Sequence, residues 1–269
     1  MSEYFLLASD MDGTVIPLDQ DSGRAAEIRQ FNRLCDQHAN LLLAYVTGRH
    51  LELGLTGVRQ FNLPVPDIFV CDVGTSIFRR EDENWQQDEQ YRQHLSEDWG
   101  GRNGRDIAGL LDGILLLRPQ EGERQKEFKQ SYYVSLEVDH RRIIGEVEER
   151  LARHRIKANV VYSIDTVRKL GLLDVLPGGA AKDRALDYLR HRFALDREKI
   201  VYAGDSGNDL LAFVSGFQAI VVNNTARAVK GEVLRLARQK NIEDCVYFAR
   251  HDYVRGVMEG CYHFQLFKE

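Results

Sequence analysis

The chain has 269 residues, 43% of them hydrophobic and 29% charged, with a formal net charge of -5. That length lies near the point where one core divides into two, and the ordinary apolar content excludes a disordered or fibrous chain. With no dominant basic stripe and no apolar run long enough to span a bilayer, neither a nucleic acid nor a membrane is an expected partner. Four cysteines, Cys35, Cys71, Cys245 and Cys261, are scattered without a CxxC pair. They read as small buried hydrophobes in a reducing compartment. With no basic-then-apolar leader, the expected location is cytoplasmic.

Residues 4–9 are a short apolar run, read as a buried strand, which ends in Asp10-Met11-Asp12-Gly13-Thr14. Side chains two apart start on the same side of an extended chain. Two carboxylates there need a cation or a shared proton, and Gly13 permits a sharp turn. Residues 23–40, from Gly23 to Asn40, carry apolar positions at helical spacing, and 41–46 form a second apolar run ending in Thr47-Gly48-Arg49. Strand, helix and strand make the βαβ unit of a parallel sheet, in which ligands collect at the carboxyl ends of strands. A Thr hydroxyl beside a Gly suits a phosphate oxygen, and equally suits the N-cap of a helix.

Residues 64–78 read as two short strands broken at Gly74. From 79 to about 106 the chain turns polar, opening on the solvated run Arg79-Arg80-Glu81-Asp82-Glu83. Trp85, Tyr91, Leu95 and Trp99 are spaced there as along an amphipathic helix. Residues 113–117 and 131–138 read as strands, 141–154 as a helix and 160–163 as a strand. Without a βαβ rhythm this is an inserted α+β unit. The parallel pattern is expected to resume at Leu173-Asp174-Val175-Leu176-Pro177, before a helix opened by Lys182. A Lys at a helix start is electrostatically out of place unless an anion joins it. Residues 199–203 form another strand, whose tip Gly204-Asp205-Ser206-Gly207-Asn208-Asp209 repeats the carboxylate chemistry of the first turn. A further strand, 217–222, ends at Asn223-Asn224-Thr225, and helices at 226–239 and 253–264 would cover the sheet.

Asp10, Asp12, Thr47, Lys182, Asp205, Asn208 and Asp209 thus all fall at or just after expected strand tips of one parallel sheet. Oxygen ligands without a His or Cys cluster favour Mg²⁺ over zinc. With Lys182 and Thr47 they make a phosphate site, in which a carboxylate can act as a covalent nucleophile.

Taken in order, Asp10-Met11-Asp12-Gly13-Thr14, Thr47-Gly48-Arg49, Lys182 and Gly204-Asp205-Ser206-Gly207-Asn208-Asp209 resemble the four motifs of the haloacid dehalogenase (HAD) superfamily. The insertion between the second and third motifs resembles the C2 cap of subclass IIB, which holds the sucrose-phosphate phosphatases and the Cof-type sugar phosphatases. Val73-Gly74-Thr75-Ser76-Ile77, the stretch from Trp85 to Trp99, and Phe128-Lys129-Gln130-Ser131-Tyr132-Tyr133 resemble the sucrose-phosphatase branch. The resemblance implies an α/β fold, with a Rossmann-like parallel-sheet core (1–80 and 168–269) and an inserted α+β cap (81–167) that sets specificity.

The same resemblance implies Asp10 as nucleophile and Asp12 as general acid and base. It places Thr47, Gly48, Lys182 and Asn208 on the phosphate, and Asp10, the backbone carbonyl of Asp12, Asp205 and Asp209 on Mg²⁺. Asn224 matches a phosphate-proximal Asn of related enzymes. In the cap, Lys129, Ser131 and Tyr132 are the candidates for sugar hydroxyls, while Trp85 and Trp99 fit cap packing better than stacking on a sugar. The implied activity is Mg²⁺-dependent hydrolysis of a sugar phosphate, sucrose phosphate or another glycosyl phosphate, through an aspartyl-phosphate. A phosphomannomutase-like phosphotransferase shares this core and cap type, and a non-catalytic sugar-phosphate-binding domain is a third reading. The implied partners are the small sugar phosphate and an associated glycosyltransferase or synthase of the same pathway.

Overall fold

In the computed structural model, residues 4–18, 24–165 and 168–268 are described. Gly23, expected in the first helix, and residue 167, the expected end of the cap, lie outside them. The chain divides into two compact units, Met1–Gln87 with Lys182–Glu269, and Asp88–Ala181.

In chain order the first unit opens with β1 (Phe5–Ser9), α1 (Ala25–Gln37), β2 (Leu41–Val46), α2 (Leu51–Phe61), β3 (Ile68–Cys71), β4 (Ser76–Glu81) and β5 (Asn84–Gln87). The second unit holds α3 (Glu89–Asp98), α4 (Gly104–Leu111), β6 (Arg118–Pro119), β7 (Gln130–Val134), α5 (His140–Arg153), β8 (Ala158–Asp165) and β9 (Leu170–Pro177). The first unit resumes with α6 (Lys182–Arg192), β10 (Ile200–Gly204), α7 (Leu210–Phe213), β11 (Gln218–Val221), α8 (Arg227–Lys240), β12 (Val246–Phe248) and α9 (Tyr253–His263).

The described strands of the first unit form one eight-stranded sheet in the order β12-β11-β10-β1-β2-β3-β4-β5. The pairings from β12 to β3 are parallel, and β4 and β5 close that edge as an antiparallel hairpin. Central strands such as β3 are buried throughout because a parallel sheet is covered on both faces, so they read as continuous apolar runs. Helices pack by apolar stripes: Ile28, Phe31 and Leu34 on α1, and Val254, Val257, Met258 and Cys261 on α9. The chain leaves β1 towards β2 on one side, while β10 lies on the other. The carboxyl end of β1 is therefore the topological switch point, where a crevice forms.

The second unit is an antiparallel sheet, β6-β7-β9-β8, with α4 packed on β7 and α5 on β8. Here several expectations are corrected. Residues 173–177 do not resume the parallel sheet: they lie in β9, which pairs antiparallel with β7 and β8. Likewise β5 belongs with the first sheet, so the units divide at 87/88 and 181/182 rather than at 80/81 and 167/168. Residues 113–117 make a turn, not a strand, with Gly113 at φ 85° and Leu115 97% exposed. Trp85 and Trp99 do not share a helix. Trp85 lies on β5 and meets Phe69 edge-on at 5.1 Å, while Trp99 caps α3 and meets Phe128 at 5.8 Å.

Candidate active site

Four loops at the carboxyl ends of β1, β2, β10 and β11 carry the expected site residues of the first unit other than Lys182. Asp10 directly follows β1, and its N–H still bonds the Ala203 carbonyl of β10 at 2.9 Å. Its carboxylate, on a side chain only 6% exposed, accepts from the Met11 N–H. Gly13 then turns at φ +81°. A Cβ there would come within 2.3 Å of Asp205 Oδ2, so any side chain would displace that carboxylate. Thr14 ties the turn to the same group, donating to Asp205 Oδ1 at 2.8 Å.

Lys182 reaches the site from the first turn of α6, and not from a strand of this sheet. Its ammonium is buried, 3.1 Å from Asp10 Oδ2 and 2.7 Å from Asp209 Oδ1, and it also donates to Asn208 Oδ1 at 3.3 Å. Asp209 is fully buried and heavily engaged. Oδ1 accepts from Lys182 and from the Tyr202 hydroxyl; Oδ2 accepts from the Asp205 and Ser206 N–H groups and the Ser206 hydroxyl. Gly204 leaves room for it: a Cβ there would lie 2.7 Å from the Asp209 carboxyl carbon.

Asp10, Asp205 and Asp209 lie within 4.8 Å of one another through a carboxylate oxygen each. One ammonium among three carboxylates leaves surplus negative charge. Burial pushes the Asp10 carboxyl up to about 7, with Lys182 opposing and Asp209 adding to the rise. Burial likewise lifts Asp205 to about 6, against the Thr14 hydrogen bond. Burial works against the Lys182 ammonium, but Asp209 and Asp10 outweigh it and raise its pKa. An all-oxygen donor set with excess negative charge fits a hard divalent cation such as Mg²⁺. Asp10 and Asp205 are the carboxylates free to hold it, since the lone pairs of Asp209 are taken up by Lys182, Tyr202 and the turn.

Asp12 stands apart from that cluster. Arg49 clasps it with both arms, Nε to Oδ2 at 2.8 Å and Nη2 to Oδ1 at 2.5 Å, and the Asp12 hydrogen bonds raise the Arg49 pKa. Thr47 is buried at the tip of β2 and accepts the Arg49 N–H on its hydroxyl. It is not a helix cap, because α2 starts later and His50 caps it. Gly48 beside it is exposed. The turn after β3 braces this loop: Asp72 and Val73 donate to the Arg49 and Thr47 carbonyls, with φ of 51° and 62°. A β-branched residue in the left-handed region is strained, and the Thr47–Arg49 backbone holds it there. Asn224, expected near phosphate, donates to the Gly13 carbonyl of the loop after β1 at 2.7 Å and accepts the Tyr253 N–H.

Sequence reasoning gave no role to Arg49, Tyr202 and Ser206. Arg49 and Ser206 were visible inside the quoted motifs. Tyr202 gave no signal, since an aromatic in a strand reads as packing.

In the second unit Lys129, Ser131 and Asp174 form one cluster. Lys129 Nζ lies 3.1 Å from Asp174 Oδ2, and the Ser131 hydroxyl donates to Asp174 Oδ1 at 2.5 Å. Lys129 and Asp174 border a 220 Å³ cavity with Arg124, Tyr133, Asp165 and Arg168 among its walls. Ser131 itself is buried behind Asp174. Tyr132 is not in this group. Alternation along β7 turns it to the opposite face from Ser131 and Tyr133, where burial pushes its hydroxyl up to about 12. Tyr133 is the aromatic on the cavity side, and its hydroxyl donates to Glu121 and accepts from Arg168.

The model of the sucrose-6F-phosphate phosphohydrolase family matches residues 3–265. A putative HAD-like hydrolase of Nitrosococcus oceani is 37% identical over 98% of this chain and 72% of its own length. The mannosylfructose-phosphate phosphatase of Agrobacterium fabrum is 29% identical over 99% of both chains. The crystal structure of the sucrose-phosphatase from Synechocystis, in complex with sucrose and phosphate, aligns with a TM-score of 0.74 at 27% identity, covering 97% of this chain and 98% of that one. No described helix is long and apolar enough to cross a membrane. With the sheet tips, the buried lysine and near full-length matches in agreement, the chain belongs to the sucrose-6F-phosphate phosphohydrolase family of the HAD superfamily and is a phosphoric monoester hydrolase.

Proposed function

We propose that the protein hydrolyses a glycosyl phosphate in two steps, with Asp10 as the nucleophile. The observation that carries this reading is the Asp10–Lys182 pair: a buried carboxylate at the switch point with an ammonium 3.1 Å away, positioned by a second buried carboxylate. Asp10 attacks phosphorus, and the phosphoryl group passes from the sugar oxygen to the carboxylate. Asp12, held by Arg49 until substrate arrives, protonates the departing oxygen. It then takes a proton from the water that cleaves the aspartyl-phosphate. Lys182 and Thr47 hold phosphoryl oxygens throughout, so charge is matched before any bond breaks. Mg²⁺, held by Asp10, Asp205 and the Asp12 carbonyl, would supply charge neutralisation and alignment of the phosphoryl group. Asp209 anchors Lys182 in this scheme, and Asn208 supports the same ammonium.

We assign the leaving sugar to the second unit, with Lys129 and Asp174 as the groups offered to its hydroxyls. Tyr133 replaces Tyr132 in that role. The names of the relatives support a phosphorylated disaccharide, since two of them act on such molecules by their descriptions. The test is phosphate release from a panel of phosphorylated disaccharides and monosaccharides, with and without Mg²⁺. Release from disaccharide phosphates well above that from hexose phosphates is expected. Equal rates across the panel would remove the disaccharide assignment, and no release from any would remove the hydrolytic one.

A further inference from the structure

Tyr202 lies on β10, wholly buried, with its ring edge-on to Phe213 at 5.8 Å. Packing explains the ring but not the hydroxyl, which donates to Asp209 Oδ1 at 2.5 Å. The same oxygen holds Lys182 Nζ at 2.7 Å, and that ammonium also reaches Asp10 Oδ2 at 3.1 Å. Lys182 therefore stands between two buried carboxylates that compete for it. Where water is excluded, a small change in one partner's charge alters its pull on the ammonium appreciably, because little dielectric screening intervenes. A carboxylate oxygen has two lone pairs. The hydroxyl occupies one on Oδ1 and offsets part of the charge that would otherwise draw Lys182 towards Asp209.

We propose that Tyr202 is a positioning residue for phosphate binding: by sharing Asp209 Oδ1 it keeps the Lys182 ammonium, 2.7 Å from that oxygen, from being wholly claimed by Asp209 and leaves it within reach of Asp10, 3.1 Å away, where the phosphoryl group is received. Tyr202 touches neither substrate nor metal and acts only through Asp209 and Lys182. This rests on the reading of Lys182 as a phosphate-binding cation. The contact made by Lys182 persists from bound substrate to transition state. Losing it should therefore weaken binding more than it slows the chemical step.

The experiment compares the wild-type protein with Tyr202→Phe, which keeps the ring and its packing. Calorimetric Kd for inorganic phosphate and KM and kcat for p-nitrophenyl phosphate are measured, with circular dichroism as the check on folding. Both Kd and KM are expected to rise about tenfold, the scale of one hydrogen bond to a charged group, while kcat falls by less than about threefold. A purely structural hydroxyl would lower thermal stability and leave phosphate affinity within about twofold of wild type, and that result overturns the proposal. A folded wild-type protein that neither binds phosphate nor hydrolyses the ester would instead overturn the reading of the whole site. The two failures are therefore distinguishable.

Discussion

Two lysine–carboxylate pairs, one in each unit, show how burial changes what the same contact does. Lys182 and Asp209 meet at 2.7 Å with side chains 1% and 0% exposed. Lys129 and Asp174 meet at 3.1 Å with side chains 15% and 26% exposed, at the wall of a cavity. For two unit charges ~4 Å apart, the interaction grows from ~1 kcal/mol in water to ~4 kcal/mol at an effective dielectric near 20. The buried pair is consequently rigid and costly to break, because removing one partner strands the other without water. The partly exposed pair can exchange its partner for a sugar hydroxyl or for water at little cost. Invariant chemistry suits the first environment and adjustable recognition suits the second.

The largest effect is expected at Asp10. Asp10→Asn should reduce turnover by roughly 10⁴-fold or more, since the amide is a poor nucleophile. A rate within tenfold of wild type would break the covalent scheme and with it the contrast between the units. Chelation by EDTA comes next: hydrolysis should stop, and added Mg²⁺ should restore it better than Ca²⁺. Calcium binds oxygen at ~2.3–2.6 Å against ~2.0–2.1 Å for Mg²⁺ and would hold the phosphate off line. Undiminished hydrolysis by metal-stripped protein would count against the site.

Lys182→Ala probes the buried pair directly. Phosphate affinity and kcat/KM should both fall steeply, and stability should drop by about 3–5 kcal/mol because Asp209 is left unpaired. The closed network around Asp209 is what ties this side chain to the fold. Thermal unfolding without and with added phosphate separates the two losses. Unchanged melting would place Lys182 outside the charge network.

Lys129→Ala sharpens the other half. Hydrolysis of the natural sugar phosphate should fall roughly ten- to a hundredfold, while p-nitrophenyl phosphate is hydrolysed almost as before. The stability cost should stay under about 1 kcal/mol, as for other partly exposed ion pairs. An equal loss on both esters would mean that Lys129 supports the fold of the second unit.

The last effect is one on stability alone and concerns Glu259, on α9. Burial opposes its charge. The Tyr247 hydroxyl, His251 and the Arg250 N–H outweigh it and hold the carboxyl down at about 2. A folded pKa below the ordinary carboxylate value contributes stability that is complete above that value, near pH 4.5, and lost as pH falls towards 2. Glu259→Gln should therefore cost about 2 kcal/mol at neutral pH and almost nothing near pH 2. A difference in melting temperature that does not shrink with acid would show that the charge is not what stabilises this corner.

Much of the first unit was legible because its signals are local. An apolar run ending in Asp10-Met11-Asp12-Gly13 states both a strand and the group at its tip, and the same holds at 41–49 and 199–209. The helices expected at 141–154 and 226–239 and the one opened by Lys182 lie at 140–153, 227–240 and 182–192. What resisted reading was every question of partner or facing. The run Leu173-Asp174-Val175-Leu176-Pro177 has the composition of a strand, and the backbone hydrogen bonds of a strand can be satisfied in either sheet. Only the neighbours β7 and β8 placed it in the second unit.

Residue chemistry and motif order by themselves pointed to the α/β class and to Asp10, Asp205 and Lys182 as groups of one site, which the structure brings together. Only the tertiary structure decided that Tyr133 and not Tyr132 faces the Lys129 cavity, because a strand alternates sides and its register comes from the strand beside it. It alone brought Arg49 onto Asp12, 37 residues away, and Asn224 onto the Gly13 carbonyl, 211 residues away. Strand composition follows from a few consecutive side chains. A contact between remote groups depends on how the whole sheet is ordered, and no short stretch of sequence carries that information.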